Sequence, residues 1–442
     1  MVVDLFNTGV TGGAANAARR LHISLRELDI ESRFWHLRSS NLAGKDDSFK
    51  VMRWAAEKNC LRHTANALKA SLRKPFLKKQ LKSALGRKPA GTELFSSPQL
   101  AHQTVCNPFD LKSDVFHLHW IANFLDYRSF FQGLPDSFPI VWTLHDENPF
   151  TGGCHYTGGC RTFTSGCHCC PQLAKRSEQD LAYQYFQIKR HAFSKKNLHI
   201  VTPSHWLEGE ARNSELLRQA NSFQTIHNGL DLETFRPFDK TWAKQQLDMD
   251  PKLPVVCFGA ESLQSRRKGF RELLETLRIV NRNTSFHGLV FGNDSDMSRD
   301  AALPPMKSMG YLRDEARQAI VYSAADVFVL PSLEDNLPQT GVESIACGTP
   351  VVAFNVGGIP DYVKPHKTGL LAERNRVPDL ARQLEWMLNH PRERDRMGNA
   401  ARLLAEVEFD QTTQALKYAK LYQDLTANFQ SSPSNTLPVV SV

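Results

Sequence analysis

Pro331–Pro350 reads PSLEDNLPQTGVESIACGTP. It follows an apolar run, Val327–Leu330, of the kind that forms a strand buried on both faces of a parallel sheet. A polar, Pro-containing loop ends that strand. A helical pattern opens near Gln339 and stops at Gly348, and a second apolar run, Val351–Phe354, follows at once. The spacing predicts a βαβ unit whose loop lies at the carboxyl end of a strand, where doubly wound sheets bind ligands. Loop amides around Leu337 and Gln339, with the helix start behind them, suit an anion such as a diphosphate. Asp335 and Glu343 stand eight residues apart, one in the loop and one on the helix, and both can accept hydrogen bonds from hydroxyl groups. Anion donors beside hydroxyl acceptors suit a nucleotide sugar.

The 442 residues suffice for two ordinary cores, and 41% hydrophobic with 23% charged residues is a globular composition. The opening MVVDLFNTG lacks the basic and apolar regions of a signal peptide, and no apolar run reaches the length of a membrane span. The expectation is a cytoplasmic protein. A formal charge of +8 suits an acidic partner, whether phosphate, anionic lipid or nucleic acid. No nucleic-acid motif accompanies the charge, which argues against that partner. Five of the nine cysteines crowd between Cys154 and Cys170, and without a secretion signal such a cluster suggests metal before disulfides.

From the N-terminus, Val2–Phe6 reads as a strand, Asn7–Gly13 as a Gly-rich loop and Ala14–Leu28 as a helix. Gly12 and Gly13 let backbone approach a ligand at that helix start. Between Lys50 and Lys88, Lys and Arg crowd the chain with Glu57 as the only acid, and apolar residues from Trp54 to Leu85 recur at roughly helical spacing. Two solvated helices with apolar stripes on the core would give this pattern, and so would a basic amphipathic surface resting on anionic lipid. DVFHLH (Asp114–His119) and PIVWTL (Pro139–Leu144) read as buried strands, and His145-Asp146 follows the second at its carboxyl end. A neutral imidazole there can orient a sugar hydroxyl, with Asp146 setting its tautomer. Trp120 offers a flat face to a sugar ring or to the core. Further strands are expected at Leu198–Val201, Leu253–Gly259 and Phe286–Gly292, and a last helix at Phe409–Leu425.

In its Glu/Asp-x7-Glu spacing and the CGTPVV that ends it, Pro331–Val352 resembles the donor-site signature of family-4 glycosyltransferases, retaining enzymes of the GT-B fold. The opening GGAANAARRLHISL and the stretch Trp142–Leu173 resemble an exopolysaccharide (colanic-acid-type) branch of that family. The resemblance spans about Gly12 to Leu425 and implies an α/β fold of two Rossmann-like doubly wound domains facing across a cleft. Residues 1–205 would form the acceptor domain, with a basic insertion at 50–90 and a Cys-rich one at 150–173. Residues 206–240 would join it to a donor domain at 241–408, a helix at 409–428 would cross back, and 429–442 would be a disordered tail.

The resemblance further implies roles. Glu343 would hold the nucleotide ribose. Asp335 stands where the family has a Glu on the donor sugar, with Glu334 able to compensate for the shorter acid. His145 matches a cleft histidine on the donor sugar. The family's first diphosphate cation is replaced by Ala260, while Lys268-Gly269 is retained; Arg266 or Arg267 would supply the missing charge. Asn336, Leu337, Pro338, Gln339 and Thr340 would line the donor, Gly12 and Gly13 its phosphates or the acceptor, and Tyr311 would stand in the segment that cups the base. Cys154, Cys160, Cys167 and Cys170 resemble a four-cysteine insertion of the same branch. Four thiolates could close a structural zinc site; paired thiols and plain packing are the alternatives, as are Cys169, His155 and His168 for ligands. No cofactor is expected for catalysis, because cations and helix amides stabilise the leaving diphosphate. The expected activity is hexosyl transfer from a UDP- or GDP-sugar to a saccharide, carried on lipid at the inner face of the plasma membrane. Against it stand a sugar-nucleotide-binding subunit without turnover and a phosphorylase-type enzyme of the same fold.

Overall fold

The computed structural model describes residues 1–37, 46–52, 60–87, 93–104, 108–293 and 300–431. Thirteen short strands build two parallel sheets. The first takes β1 (Val2–Phe6), β2 (Glu31–His36), β3 (Phe49–Val51), β4 (Val115–Leu118), β5 (Ile140–Thr143), β6 (Leu198–Thr202) and β7 (Ser222–Thr225), in the order β3-β2-β1-β4-β5-β6-β7. The second takes β8 (Val255–Ser262), β9 (His287–Asn293), β10 (Met306–Ser308), β11 (Val327–Leu330), β12 (Val351–Phe354) and β13 (Gly369–Ala372), in the order β10-β9-β8-β11-β12-β13. Each order reverses direction once, between β1 and β4 and between β8 and β11. Those are the switch points at which the carboxyl ends of adjacent strands open a crevice.

The strands form where apolar runs need burial on both faces. All four residues of β4, β5, β11 and β12 are buried. One apolar cluster fills the second domain, and two lie on opposite faces of the first sheet. The helix Gln411–Ser431 completes one of these, packing Ala415, Tyr418 and Tyr422 with Val3, Leu5 and Leu21. Its phenols reach the sheet itself, Tyr418 Oη to Thr143 Oγ1 at 2.7 Å and Tyr422 Oη to His117 Nδ1 at 2.6 Å. The last helix among the described residues is therefore part of the first domain's core.

Several boundaries differ from the sequence expectation. β7 lies inside 206–240, so that segment still contributes an edge strand to the first sheet. Its residues are only half-buried, which mutes the apolar signal. Where two basic helices were one reading, a single helix runs from Cys60 to Leu85 and carries Pro75 within it. The final crossover begins at Gln411, after a separate helix Pro391–Glu408, and continues to Ser431. Helix thus covers the start of the tail expected to be disordered, whose remainder lies outside the described residues.

Candidate functional site: a crevice of paired charges

The loops after β8 and β11 meet at the second switch point. After β8 the chain turns through Arg266–Lys268 and enters a helix at Gly269 with φ of +71°. A side chain at Gly269 would place its Cβ 1.8 Å from the Pro331 carbonyl oxygen, so only glycine lets these two loops touch. This contact brings Lys268 and Arg267 onto Asp335. Lys268 Nζ donates to Asp335 Oδ2 at 2.7 Å, and Arg267 Nη1 lies 3.0 Å from Asp335 Oδ1. Burial raises the Asp335 pKa, but the two cations outweigh it and hold the carboxyl below its ordinary value. Burial likewise lowers Lys268, against the opposing pull of Asp335.

Gln339–Ala346 forms a helix whose first turn faces the crevice with Pro338 before it. Glu343 is buried on it, accepts from Tyr322 Oη at 2.8 Å and lies 3.7 Å from Arg20 Nη2 of the first domain. Burial raises its pKa above the ordinary carboxylate value. Arg20 also reaches Glu315 at 2.9 Å and Gln339 Oε1 at 3.5 Å.

On the opposite wall, His145 follows β5. Its Nε2 lies 3.0 Å from His119 Nδ1, and burial lowers its pKa to about 4, so the imidazole is neutral at pH 7. His119, not Asp146, is its partner, which corrects the tautomer reading. Asp146 is spent on His155 Nδ1 at 2.6 Å and Trp120 Nε1 at 2.7 Å. Trp120 is thereby pinned by its own N–H beside His155.

The two walls touch. Asn336 Nδ2 donates to the His145 carbonyl at 3.1 Å, and Ser204 Oγ donates to Asn336 Oδ1 at 2.6 Å. Asn336 is thus an interdomain tie. Glu334 crosses to the Cys-rich loop, accepting from Gly158 N at 3.1 Å and Thr157 Oγ1 at 3.5 Å. Arg267 stacks over the Tyr156 ring at 4.0 Å and lies 3.3 Å from Glu93. Glu147, on the first domain, accepts from Thr157 N at 2.7 Å and faces Glu334; burial and that second carboxylate raise it to about 8.

Of the expected donor residues, the structure gathers Asp335, Lys268, Arg267, Glu334, Glu343, Gln339 and His145 around one crevice. Leu337 is in the second core, and Thr340 is half-exposed on the helix's first turn. Gly12 and Gly13 begin the first domain's leading helix with open space where a Cβ would stand. Arg266 is not brought in, its guanidinium being bidentate with Glu272 at 2.6 and 2.7 Å. Tyr311 is 47% exposed and, among the described residues, its ring has Arg313 over it at 5.9 Å. Sequence reading passed over Arg20, Glu93, Glu147 and Tyr156. Arg20 lies inside the GGAANAARRL stretch, and Glu147 two residues past His145, so proximity to quoted motifs was the signal available.

Cys154, Cys160, Cys167 and Cys170 line one enclosed cavity of about 10 Å³. Gly152 N donates to Cys167 Sγ at 3.2 Å, and Cys167 has a positive φ of 48° that turns the knuckle. Lys189 is fully buried beside Cys154 and Cys167; its ammonium donates to the carbonyls of Asn148 and Thr151 and lies 5.4 Å from the centre of the Tyr127 ring. A buried cation with no carboxylate in direct contact is costly; the Asp146 charge offsets part of that cost, and a zinc tetrathiolate, carrying a net negative charge, would offset more. The donor set fits zinc in type but not in spacing, since no three of these sulfurs lie within 4.8 Å of one another. His155 is excluded as a ligand, both ring nitrogens being taken by Asp146 and Ser96. His168 and Cys169 face Glu178 on the outside.

This architecture, two parallel-sheet α/β domains across a crevice, is that of the GT-B glycosyltransferases. It superposes on the Anabaena protein Alr3699/HepE, solved in complex with UDP and glucose, with a TM-score of 0.63 at 14% identity over 96% of this chain and 100% of that one. Residues 243–404, within the second domain, match the family model described as Glycosyl transferases group 1. Among curated relatives, a D-inositol 3-phosphate glycosyltransferase of Rhodococcus opacus is 32% identical over 39% of this chain and 41% of its own length. A putative colanic acid biosynthesis glycosyl transferase, WcaC of Escherichia coli, is 26% identical over 59% of this chain and 64% of its own. The match thus spans about two fifths of the Rhodococcus relative. Among the described residues no helix is long and apolar enough to cross a membrane.

Proposed function

We propose that the chain is a retaining glycosyltransferase that moves a hexosyl group from a UDP- or GDP-sugar to a saccharide acceptor in glycan biosynthesis, the acceptor being lipid-linked. One observation carries this reading: Arg267, Lys268, the first turn of Gln339–Ala346 and Glu343 converge on a single crevice at a sheet switch point. Two cations beside a helix start neutralise a departing diphosphate without a metal ion. Arg267 replaces the cation missing at Ala260, which lies buried within β8 and could not point outward without displacing core. Glu343 accepts from the ribose hydroxyls once Arg20 withdraws. Asp335 fixes the two cations, and Glu334, one residue earlier and facing the first domain, meets the sugar. His145, neutral, orients the sugar from the opposite wall.

The charges are paired across the crevice, so the donor is admitted by parting the walls and then held as they close, which excludes water from the transfer. The Cys-rich loop carries Tyr156, Thr157 and Gly158 to that closing edge, and a structural zinc on its four cysteines would hold the loop's shape; the zinc would have no part in the chemistry.

Melting curves with UDP, GDP, ADP and their sugars test the reading. One nucleotide family should raise the melting temperature, and Glu343→Ala should abolish that rise. Lys268→Ala should weaken diphosphate binding by about tenfold or more while sparing the nucleoside. Equal losses for both would remove Lys268 from the diphosphate. Release of free nucleoside diphosphate on mixing donor and acceptor separates an enzyme from a binding subunit.

A further inference from the structure

The helix Cys60–Leu85 contains no Asp or Glu. Its C-terminal end is docked: Leu81, Ala84 and Leu85 pack against Phe95, Leu173 and Tyr185, and the Ala84 carbonyl accepts from Ala174 N at 2.8 Å. Its middle is not. Leu72 and Phe76, one turn apart, are 69% and 65% exposed. Lys69, Arg73 and Lys79 recur with them at spacings of three and four, so they border the same face. None of the described Lys and Arg side chains from Lys69 to Lys82 forms an ion pair with a described acid.

Arg73 also opens onto a recess of about 130 Å³ between this helix and the helix Tyr127–Gln132. Arg128 lines it with Gln99, Gln103 and Gln132. Neither guanidinium has a carboxylate partner among the described residues. The one acid on the wall, Asp126, is already committed, accepting from Ser129 N at 3.0 Å, Ser129 Oγ at 2.8 Å and Leu100 N at 2.9 Å. Gln132 Nε2 is engaged with His191 Nε2 at 3.3 Å, but two guanidiniums and the amides of Gln99 and Gln103 around a cavity of this size match the size and donor needs of a phosphate group.

We propose that this recess seats the phosphate of an anionic phospholipid headgroup, with Leu72 and Phe76 entering the acyl boundary and the lysines spread over neighbouring headgroups. A polyanion in water, such as nucleic acid, would use the charges and leave the exposed apolar pair unexplained; a bilayer uses both. The surface stands apart from the donor crevice, and the inference does not depend on the donor's identity.

Flotation of the full chain with phosphatidylcholine vesicles, with and without about 30% phosphatidylglycerol, tests it. The chain should float with the anionic vesicles only. Arg73→Gln/Arg128→Gln and Leu72→Ser/Phe76→Ser should each lower the bound partition about tenfold. Melting temperatures and nucleotide-induced shifts of both variants should match the wild type, which separates loss of this surface from failure of the fold or of the donor site. No flotation, equal flotation with neutral vesicles, or an undiminished Arg73→Gln/Arg128→Gln variant would overturn the proposal. So would displacement from the vesicles by a short oligonucleotide at stoichiometric concentration.

Discussion

Glu147 and Glu334 face each other from opposite domains with Thr157 between them, and at residue scale this pair governs how the molecule answers to pH. Glu147 is raised to about 8 by burial and by Glu334. A carboxyl raised in the folded state holds a proton that the unfolded chain releases near its ordinary value. Its stabilising contribution is therefore complete below about 4.5 and is lost as pH climbs through about 8. Wild-type melting temperature should fall between these limits, and Glu147→Gln should flatten that fall, recovering on the order of 3 kcal/mol at the alkaline end. Parallel curves for the two proteins would mean that Glu147 is not protonated in the closed crevice. This residue also shows what single positions conceal. Asp335 and Glu343 could be found from their spacing within one motif. Glu147 owes its environment to Thr157 and Glu334, ten and 187 residues away, and nothing local announces such an encounter.

At the scale of elements, the buried strands were legible because parallel sheets demand unbroken apolar runs, and VFVL and VVAF supply them. The edge strand Ser222–Thr225 was not, since a half-buried edge needs no such run. The Cys-rich loop was legible as a cluster, but its cost and its use were not. Both come from Lys189, placed by a helix some twenty residues beyond, and from the contacts that Tyr156–Gly158 make with Arg267 and Glu334. If four thiolates and a zinc ion balance the buried ammonium, the purified chain should carry about one zinc per molecule by elemental analysis. Chelation should then lower its melting temperature, and Cys167→Ser should lower zinc content. Lys189→Met should retain the fold better in metal-free protein than in zinc-loaded protein, because the buried ammonium that the thiolates would balance is then gone. Metal-free protein that melts as the wild type does would leave the four thiols to packing.

Across the whole molecule, the doubly wound plan could be anticipated from one βαβ unit and the family resemblance, whereas the strand orders and the state of the crevice could not. Pairing between domains depends on which charges reach one another when two rigid bodies close, and residues over 300 apart do so here, as Arg20 with Glu343. The ties are of two kinds. Asn336 to His145 and Ser204 lie at the floor of the crevice and use neutral groups, so nothing in a charged donor competes for them. Arg20 with Glu343 and Glu334 with Gly158 lie where donor phosphates and hydroxyls would compete for the same atoms. The floor ties should act as the hinge and the charged ties as the latch. Arg20→Ala combined with Glu334→Gln should then enlarge the radius of gyration of the nucleotide-free protein in solution scattering. It should also speed hydrogen exchange at the Thr157 and Gly158 amides, and saturating nucleotide should reverse only part of either change. Ser204→Ala should leave the dimensions unaltered. An Arg20→Ala/Glu334→Gln protein as compact and as protected as wild type would show that these two charged ties do not hold the crevice shut, and that closure rests on the floor contacts and the remaining pairs, Arg267 with Glu93 and His205 with Asp361.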